Sequence, residues 1–155
     1  MRLKIAFLFY IGVMLISCNK TAVISSPAQA ISGKYEAKTY NDVFSALVYY
    51  PINGQTMSLQ IDPISKDSVR VEVNSTVNGF YSPGNSKIYP SVFVVKKVNA
   101  NEQFDGMFII ALAPSVDPGT LENSIWFDSQ NNAYYTFIPP NYTKGAIQTM
   151  FVRTN

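Results

Sequence analysis

The sequence predicts an all-β domain: an antiparallel meander of about eight to nine strands that closes into a barrel, with a β-sandwich as the alternative. Two observations lead to this prediction. Segments of alternating apolar and polar residues recur about every ten residues, and Gly, Pro, Asn or Asp separates them. The chain also contains ten Tyr and ten Phe but only 14% charged residues, a composition that favours strands over disorder.

The predicted strands follow one another along the chain with short turns between them. They cover residues 35–40, 47–52, 56–61, 69–73, 88–96, 107–113, 125–128, 133–138 and 146–153. Neighbouring side chains in a strand point to opposite sides, so alternation shows which residues share a face. The expected sets are Tyr35, Ala37 and Thr39; Met57, Leu59 and Ile61; Val69, Val71 and Val73; and Ile147, Thr149 and Phe151.

Asn53-Gly54 is the strongest turn signal in the chain. It lies between the predicted strands 47–52 and 56–61. Both central positions of a type I′ turn need positive φ, which Asn and Gly adopt readily. The dipeptide therefore predicts a two-residue hairpin between these two strands.

Residues 41–48 are ambiguous between helix and strand. Asn41-Asp42 is suited to the start of a short helix with one apolar face. The segment is nevertheless rich in β-branched and aromatic residues, which favour strands. We expect a helical turn at most, followed by strand.

Two predicted strands lack the alternation of a strand with one solvated face. Residues 107–113 are apolar throughout, and so are residues 92–95. A sandwich centre, or a helix at 41–48 packed on the outside, would bury both faces within one domain, and we expect Ile109 and Ile110 each to be inaccessible. The alternative is that one face forms a subunit interface or lines a cavity for an apolar ligand.

Charge and missing residue types exclude several functions. Without Arg2 and Lys4, which belong to a predicted signal peptide, ten basic and ten acidic residues remain, and no basic run exceeds Lys96-Lys97. Nucleic acid is therefore not expected as a partner, and anionic lipid headgroups are poor partner candidates. The chain has no His and one Cys, which removes Ser-His-Asp triads, Cys-His pairs and His/Cys zinc sites. No catalytic residue, metal site or cofactor is predicted.

The first residues indicate where the protein resides. Arg2 and Lys4 precede an uncharged apolar run, residues 5–16, which is too short to cross a hydrocarbon core of ~30 Å as a helix. This pattern is typical of a secretory signal peptide. A small, polar stretch follows, which predicts a flexible link. The expected organisation is a signal peptide at 1–17, a lipidated N-terminus and tether at 18–30, and a single β-domain at 31–155.

Leu15-Ile16-Ser17-Cys18 resembles the bacterial lipobox, and its Leu and Ser are similar to those of Bacteroidetes-type lipoproteins. The resemblance covers only the leader. It implies cleavage before Cys18, lipidation of its thiol and a membrane partner reached through that lipid anchor. Asn19 in place of Asp implies sorting to the outer membrane of the cell envelope. The absence of an acidic cluster after Cys18 implies that the domain faces the periplasm.

The start of the first strand resembles another group of proteins. Ile31-Ser32-Gly33-Lys34-Tyr35 is similar to the opening of lipocalin-like proteins, in which Gly-x-Trp begins an up-and-down barrel. Tyr35 stands where that motif has Trp. The resemblance implies a lipocalin-like barrel that binds a small apolar ligand.

Candidate binding residues come from two patterns. Aromatic residues near predicted turns place some rings outward, where Tyr and Trp suit recognition of a glycan or peptide. Apolar residues of the strand 107–113, together with the single Trp, would line an interior cavity. The candidates are Tyr49, Met107, Ile109, Trp126 and Tyr135 for ligand binding and Cys18 for lipidation.

These features leave three functional hypotheses. The leading one is a lipid-anchored cell-envelope protein, not an enzyme, whose β-domain binds a small apolar ligand. The second is a structural or accessory subunit that binds an envelope protein or a glycan through exposed aromatic residues. The third is an enzyme that uses carboxylates, Lys or Tyr, since no His and no free thiol are left for chemistry.

Overall fold

The computed structural model describes residues 25–41, 47–76, 86–96, 108–112, 123–138 and 146–154. In these residues the chain forms one short helix and nine strands. They are α1 (Pro27–Ile31), β1 (Gly33–Asn41), β2 (Leu47–Tyr49), β3 (Met57–Pro63), β4 (Ser68–Ser75), β5 (Lys87–Lys96), β6 (Phe108–Ala111), β7 (Ser124–Phe127), β8 (Ala133–Phe137) and β9 (Ile147–Thr154).

Eight of these strands close into an antiparallel barrel. Each strand from β3 to β8 pairs with the next one along the chain, and β1 pairs with both β3 and β9. The β1–β9 ladder runs from the pair Lys34–Thr154 to the pair Asn41–Gln148 and joins the two ends of the meander. The predicted meander closed into a barrel is confirmed, and the sandwich alternative is wrong.

The ninth strand, β2, lies beyond the end of β3 and pairs with the same strand, β1. β3 pairs with the first half of β1 and β2 with the second half, so β2 and β3 run end to end in the same direction. The predicted hairpin between them is therefore wrong. Asn53 and Gly54 do form a tight turn, with φ of 50° and 76°. Only one residue pair is bridged across that turn, Ile52 and Gln55. The strands on either side of the turn pair with β1 and not with each other.

The ambiguous segment 41–48 is strand at both ends. Asn41 is the last residue of β1, and Leu47 is the first residue of β2. Residues 42–46 lie outside the described residues. The strand expected at the end of the segment is confirmed.

A β-bulge in β1 changes which residues face inward. The register with β9 shifts between Ala37 and Thr39. Beyond it Tyr40 is buried, at 3% exposed, and Thr39 points outward. The prediction that Thr39 shares a face with Tyr35 and Ala37 is wrong, because a bulge inserts one residue and reverses the alternation after it.

Apolar and aromatic side chains fill the inside of the barrel. The inward sets predicted for β3, β4 and β9 are confirmed, since every member is 2% exposed or less. Tyr35 and Phe127 meet edge to face with ring centroids 5.9 Å apart. Tyr135 and Phe137 meet at 5.0 Å. Burial of these rings is the main stabilising contribution, at roughly 25 cal/mol per Å² of apolar surface.

Helix α1 covers the end of the barrel where β1 begins and the β3–β4 turn lies. Ser26 starts it with a capping box, and both Ala28 and Ile31 are fully buried (0%). The Ala28 amide donates to the Lys66 carbonyl in that turn at 3.0 Å. The prediction that the tether extends to Ala30 is wrong, because its last small residues form a packed helix.

Two side chains of the barrel fasten α1. The Tyr35 hydroxyl donates to the Ile31 carbonyl at 2.6 Å. The Arg153 guanidinium donates to the carbonyls of Ala30 and Ser32. Burial raises the pKa of Tyr35 to about 12, and the positive charge of Arg153 opposes part of that rise. The point where the chain enters the barrel is therefore fixed.

Candidate functional site

Strand β6 is apolar on both its inner and its outer face. Ile110 is fully buried (0%), but its neighbour Ile109 is only partly buried and points outward. On β5, Phe93 and Val95 are 73% and 58% exposed. The expectation that both faces are buried within the monomer is therefore wrong for Ile109, and apolar side chains are left at the surface.

The outward apolar residues line up across neighbouring strands. The registers of four strand pairs, from β5 to β9, place one outward residue of each strand beside that of the next. These five residues, termed the outer row, are Val95, Ile109, Trp126, Tyr134 and Met150. Neighbouring strands lie about 4.8 Å apart, so the row is about 19 Å long.

Trp126 and Tyr134 form the centre of the outer row. Their rings stack, with centroids 3.9 Å apart and planes 6° from parallel. Each lies between two fully buried residues of its own strand, so packing of the barrel interior fixes its outward direction. Stacking covers one face of each ring, and Ile109 and Met150 are the cross-strand neighbours on the other sides. The centre of the row is therefore a stacked aromatic pair flanked by two aliphatic side chains.

Asp128, in the β7–β8 turn, holds Tyr134 in place. Its carboxylate accepts the Tyr134 hydroxyl at 3.2 Å. It also accepts the backbone amides of Gln130 and Asn132, both at 2.9 Å. Burial and the nearby negative charge of Asp128 raise the pKa of Tyr134. The phenol is therefore neutral at physiological pH and acts as the donor.

Two of the predicted binding residues are neighbours in the outer row, and a third lies beyond its end. Ile109 pairs with Trp126 across β6 and β7. Met150 pairs with Thr39 on β1, and Thr39 pairs with Tyr49 on β2. Tyr49 is 69% exposed. These residues belong to one continuous outer surface and do not line an interior cavity.

The other predicted residues are not part of this surface. Tyr135 points into the barrel and is fully buried (0%). Its hydroxyl is hydrogen-bonded to Tyr89, and burial raises its pKa. Met107 and Cys18 lie outside the described residues. The structure thus divides the candidates between the core and the outer surface.

Sequence analysis did not select Val95, Tyr134 and Met150. One signal was available: each stands next to an inward residue of its strand, namely Val94, Tyr135 and Thr149 or Phe151. Its outward direction could have been inferred from alternation. The pairing register places these three residues beside Ile109 and Trp126. That register depends on the whole barrel and cannot be read from one strand.

The outward face of β3 and β4 has the opposite character. Arg70 forms ion pairs with Asp62 at 3.4 Å and with Glu72 at 2.7 Å. Gln60 donates to the Asp62 carboxylate at 2.6 Å, and the hydrogen bond from Arg70 lowers the pKa of Glu72. An open groove of about 350 Å³ beside these residues is lined mainly by polar side chains. This side of the barrel is suited to contact with water.

Comparison with protein-family models, curated proteins and solved structures finds no match to this chain. Within the described ranges, no helix is both long enough and apolar enough to cross a membrane. The same residues contain no group of three or more His, Cys, Asp or Glu side chains placed to hold a metal ion. The candidate site is therefore defined by its own geometry.

Proposed function

We propose that the protein is a lipid-anchored accessory subunit of the cell envelope that binds another envelope protein through the outer row. Lipidated Cys18 holds it in the outer membrane, with the barrel on the periplasmic side. Its role is binding, without an enzymatic reaction. The observation that supports this proposal best is the alignment of five apolar residues on the outside of five neighbouring strands.

The composition of the outer row favours a protein partner. Trp, Tyr and Met are enriched in the buried centres of protein interfaces, and Trp and Tyr often contribute most of the binding energy. Contiguous apolar surface on a soluble domain is also a mark of an interaction site. A glycan would need an open ring face, whereas Trp126 and Tyr134 stack on each other.

The interior offers less support for an apolar ligand. The largest of its fully buried side chains are aromatic rings: Tyr35, Tyr135, Phe127, Phe137 and Phe151. A ligand among these described residues would have to displace rings that stabilise the barrel. Removal of one such side chain by substitution with Ala costs several kcal/mol in comparable cores.

Mild-detergent extraction of the native envelope tests the proposal. The tagged wild-type protein should elute from a sizing column as a complex larger than a monomer in detergent. Ile109→Lys, in the outer row, should shift it to the monomer position. Ser58→Lys is the matched control, because Ser58 points outward from β3 on the polar side, and it should elute like wild type. A monomeric wild type, or equal behaviour of both variants, would contradict the proposal.

The anchor is tested separately with Cys18→Ala. The leader peptide is removed on processing, so it cannot hold the mature domain at the membrane. Stable attachment then requires two or more acyl chains, which the lipid on the Cys18 thiol supplies. The variant should leave the membrane fraction or remain unprocessed. Unchanged processing together with unchanged membrane association would contradict lipidation at Cys18.

A further inference from the structure

The barrel end that α1 covers carries three strongly exposed apolar side chains. Ile64, Phe93 and Val95 are 55%, 73% and 58% exposed. Ile64 lies in the β3–β4 turn, which binds α1 through the Lys66 carbonyl. Phe93 lies opposite Ser68, where that turn ends. These side chains therefore share one end of the molecule with α1.

The tether joins the barrel at this same end. Ser25 is the first described residue and lies seven positions after Cys18. Seven residues span at most about 25 Å when fully extended and about 15 Å as a flexible coil. Because α1 is fastened by Tyr35 and Arg153, a lipid on Cys18 would keep this end close to the membrane.

We propose that the α1 end of the barrel rests on the phospholipid layer that holds the anchor, with Phe93 and Ile64 in the boundary between headgroups and acyl chains. This inference rests on the proposed anchor at Cys18. The anchor keeps the surface beside the lipid at high effective concentration, so a contact too weak to bind alone is sufficient.

Charges at this end are compatible with a phospholipid surface. Among the described residues at this end, exposed or partly buried cationic side chains outnumber acidic ones, apart from Arg70, which forms ion pairs with Asp62 and Glu72. The cationic residues are Lys34, Lys66, Lys96 and Arg153, and the acidic ones are Asp67 and Asp128. In this orientation the outer row runs around the side of the tilted barrel and faces neighbouring proteins of the same membrane.

Quenching of a single tryptophan by brominated lipid tests this orientation. The mature lipidated protein is reconstituted in phosphatidylcholine vesicles with and without dibromo-phosphatidylcholine. Trp126→Phe removes the only Trp of the chain, and Phe93→Trp then reports from the α1 end. Ile88→Trp in the same background is the matched control, since Ile88 is on the same strand and is 57% exposed. It lies roughly 16 Å away, toward the other end of β5.

The brominated lipid should quench the Trp at position 93 several-fold more strongly than the Trp at position 88. Equal or absent quenching in protein that floats with the vesicles overturns the orientation but leaves the anchor intact. A blue-shifted, unquenched Trp at position 93 also overturns it, since a second copy would then cover this end. Wild-type protein that does not float with the vesicles contradicts the anchor, and the orientation falls with it.

Discussion

The two sides of the barrel wall share one inner pattern and differ on the outside. In β4, buried Val71 lies between Arg70 and Glu72, which face water and form an ion pair. In β6 and β7, buried Ile110 and Ile125 have apolar outward neighbours. Closure of the barrel requires only the inner set, so the outer set is free to serve another purpose. The loss of alternation therefore marks the surface that we propose as the contact site.

The largest expected difference in stability is between substitutions on the inner and outer faces of β6. Ile110→Asp places a carboxylate in the core without a partner, which costs several kcal/mol out of a typical total of about 5–15 kcal/mol. Ile109→Asp places the same charge at a partly buried outer position and should leave the domain folded. Thermal unfolding followed by circular dichroism measures both. Comparable destabilisation by the two variants would remove the distinction between inner and outer faces.

Alkaline pH should lower the free energy of unfolding by about 2–3 kcal/mol through ionisation of Tyr35, one of the inward residues. Burial raises its pKa from 10.0 to about 12, so its full contribution is present below pH 10. Above pH 10 the phenol ionises more readily in the unfolded chain, and the contribution declines until the folded phenol ionises near pH 12. Buried Tyr135, whose pKa is also raised, acts in the same direction.

Urea unfolding at pH 8 and pH 11 checks this dependence. Tyr35→Phe should cost about 1 kcal/mol at pH 8, because it removes the hydrogen bond to the Ile31 carbonyl. It should also reduce the loss of stability between the two pH values. An unchanged pH dependence in this variant would show that Tyr35 is not responsible.

Truncation in the outer row should have a smaller effect on folding. Trp126→Ala removes the stack on Tyr134, which is worth about 0.5–1.5 kcal/mol beyond burial. The barrel should remain folded, and the free energy of unfolding, measured with urea, should fall by about 1–2 kcal/mol. A loss as large as that of Ile110→Asp would mean that the row is part of the core.

The polar outward face of β3 and β4 should contribute least to the free energy of unfolding. Arg70→Ala breaks the ion pairs with Asp62 and Glu72, but these side chains are substantially exposed and solvent weakens their attraction. Urea unfolding should therefore show a change of less than about 1 kcal/mol, and high salt should reduce the difference further. A larger, salt-independent loss would indicate that this side is also structurally important.

Local patterns predicted most of the fold. Strict alternation in β3, β4 and β9 identified their inward residues, because one face of each is buried and the other is wet. The bulge at Ala37–Thr39 and the end-to-end arrangement of β2 and β3 were not predictable, since both depend on which edge of β1 is available. Helix α1 was missed because PAQAI is short and nearly apolar throughout, and its capping box alone is a weak signal.

The candidate site was predictable only in part. Ile109 and Trp126 were selected from the sequence, but Ile109 was expected in the core. A strand that is apolar on both faces does not reveal whether its own domain or a partner covers the second face. Only the register of five strands shows that the outward residues form one row.

Site-specific photocrosslinking in intact cells tests the central claim most directly. A photoreactive side chain replaces Ile109 in the outer row or, as the control, Ser58 on the polar side. The account predicts a discrete adduct with one envelope protein from position 109, lost when Tyr134→Asp is added, and no such adduct from position 58. The same adduct from both positions, or an adduct from position 58 alone, would contradict it.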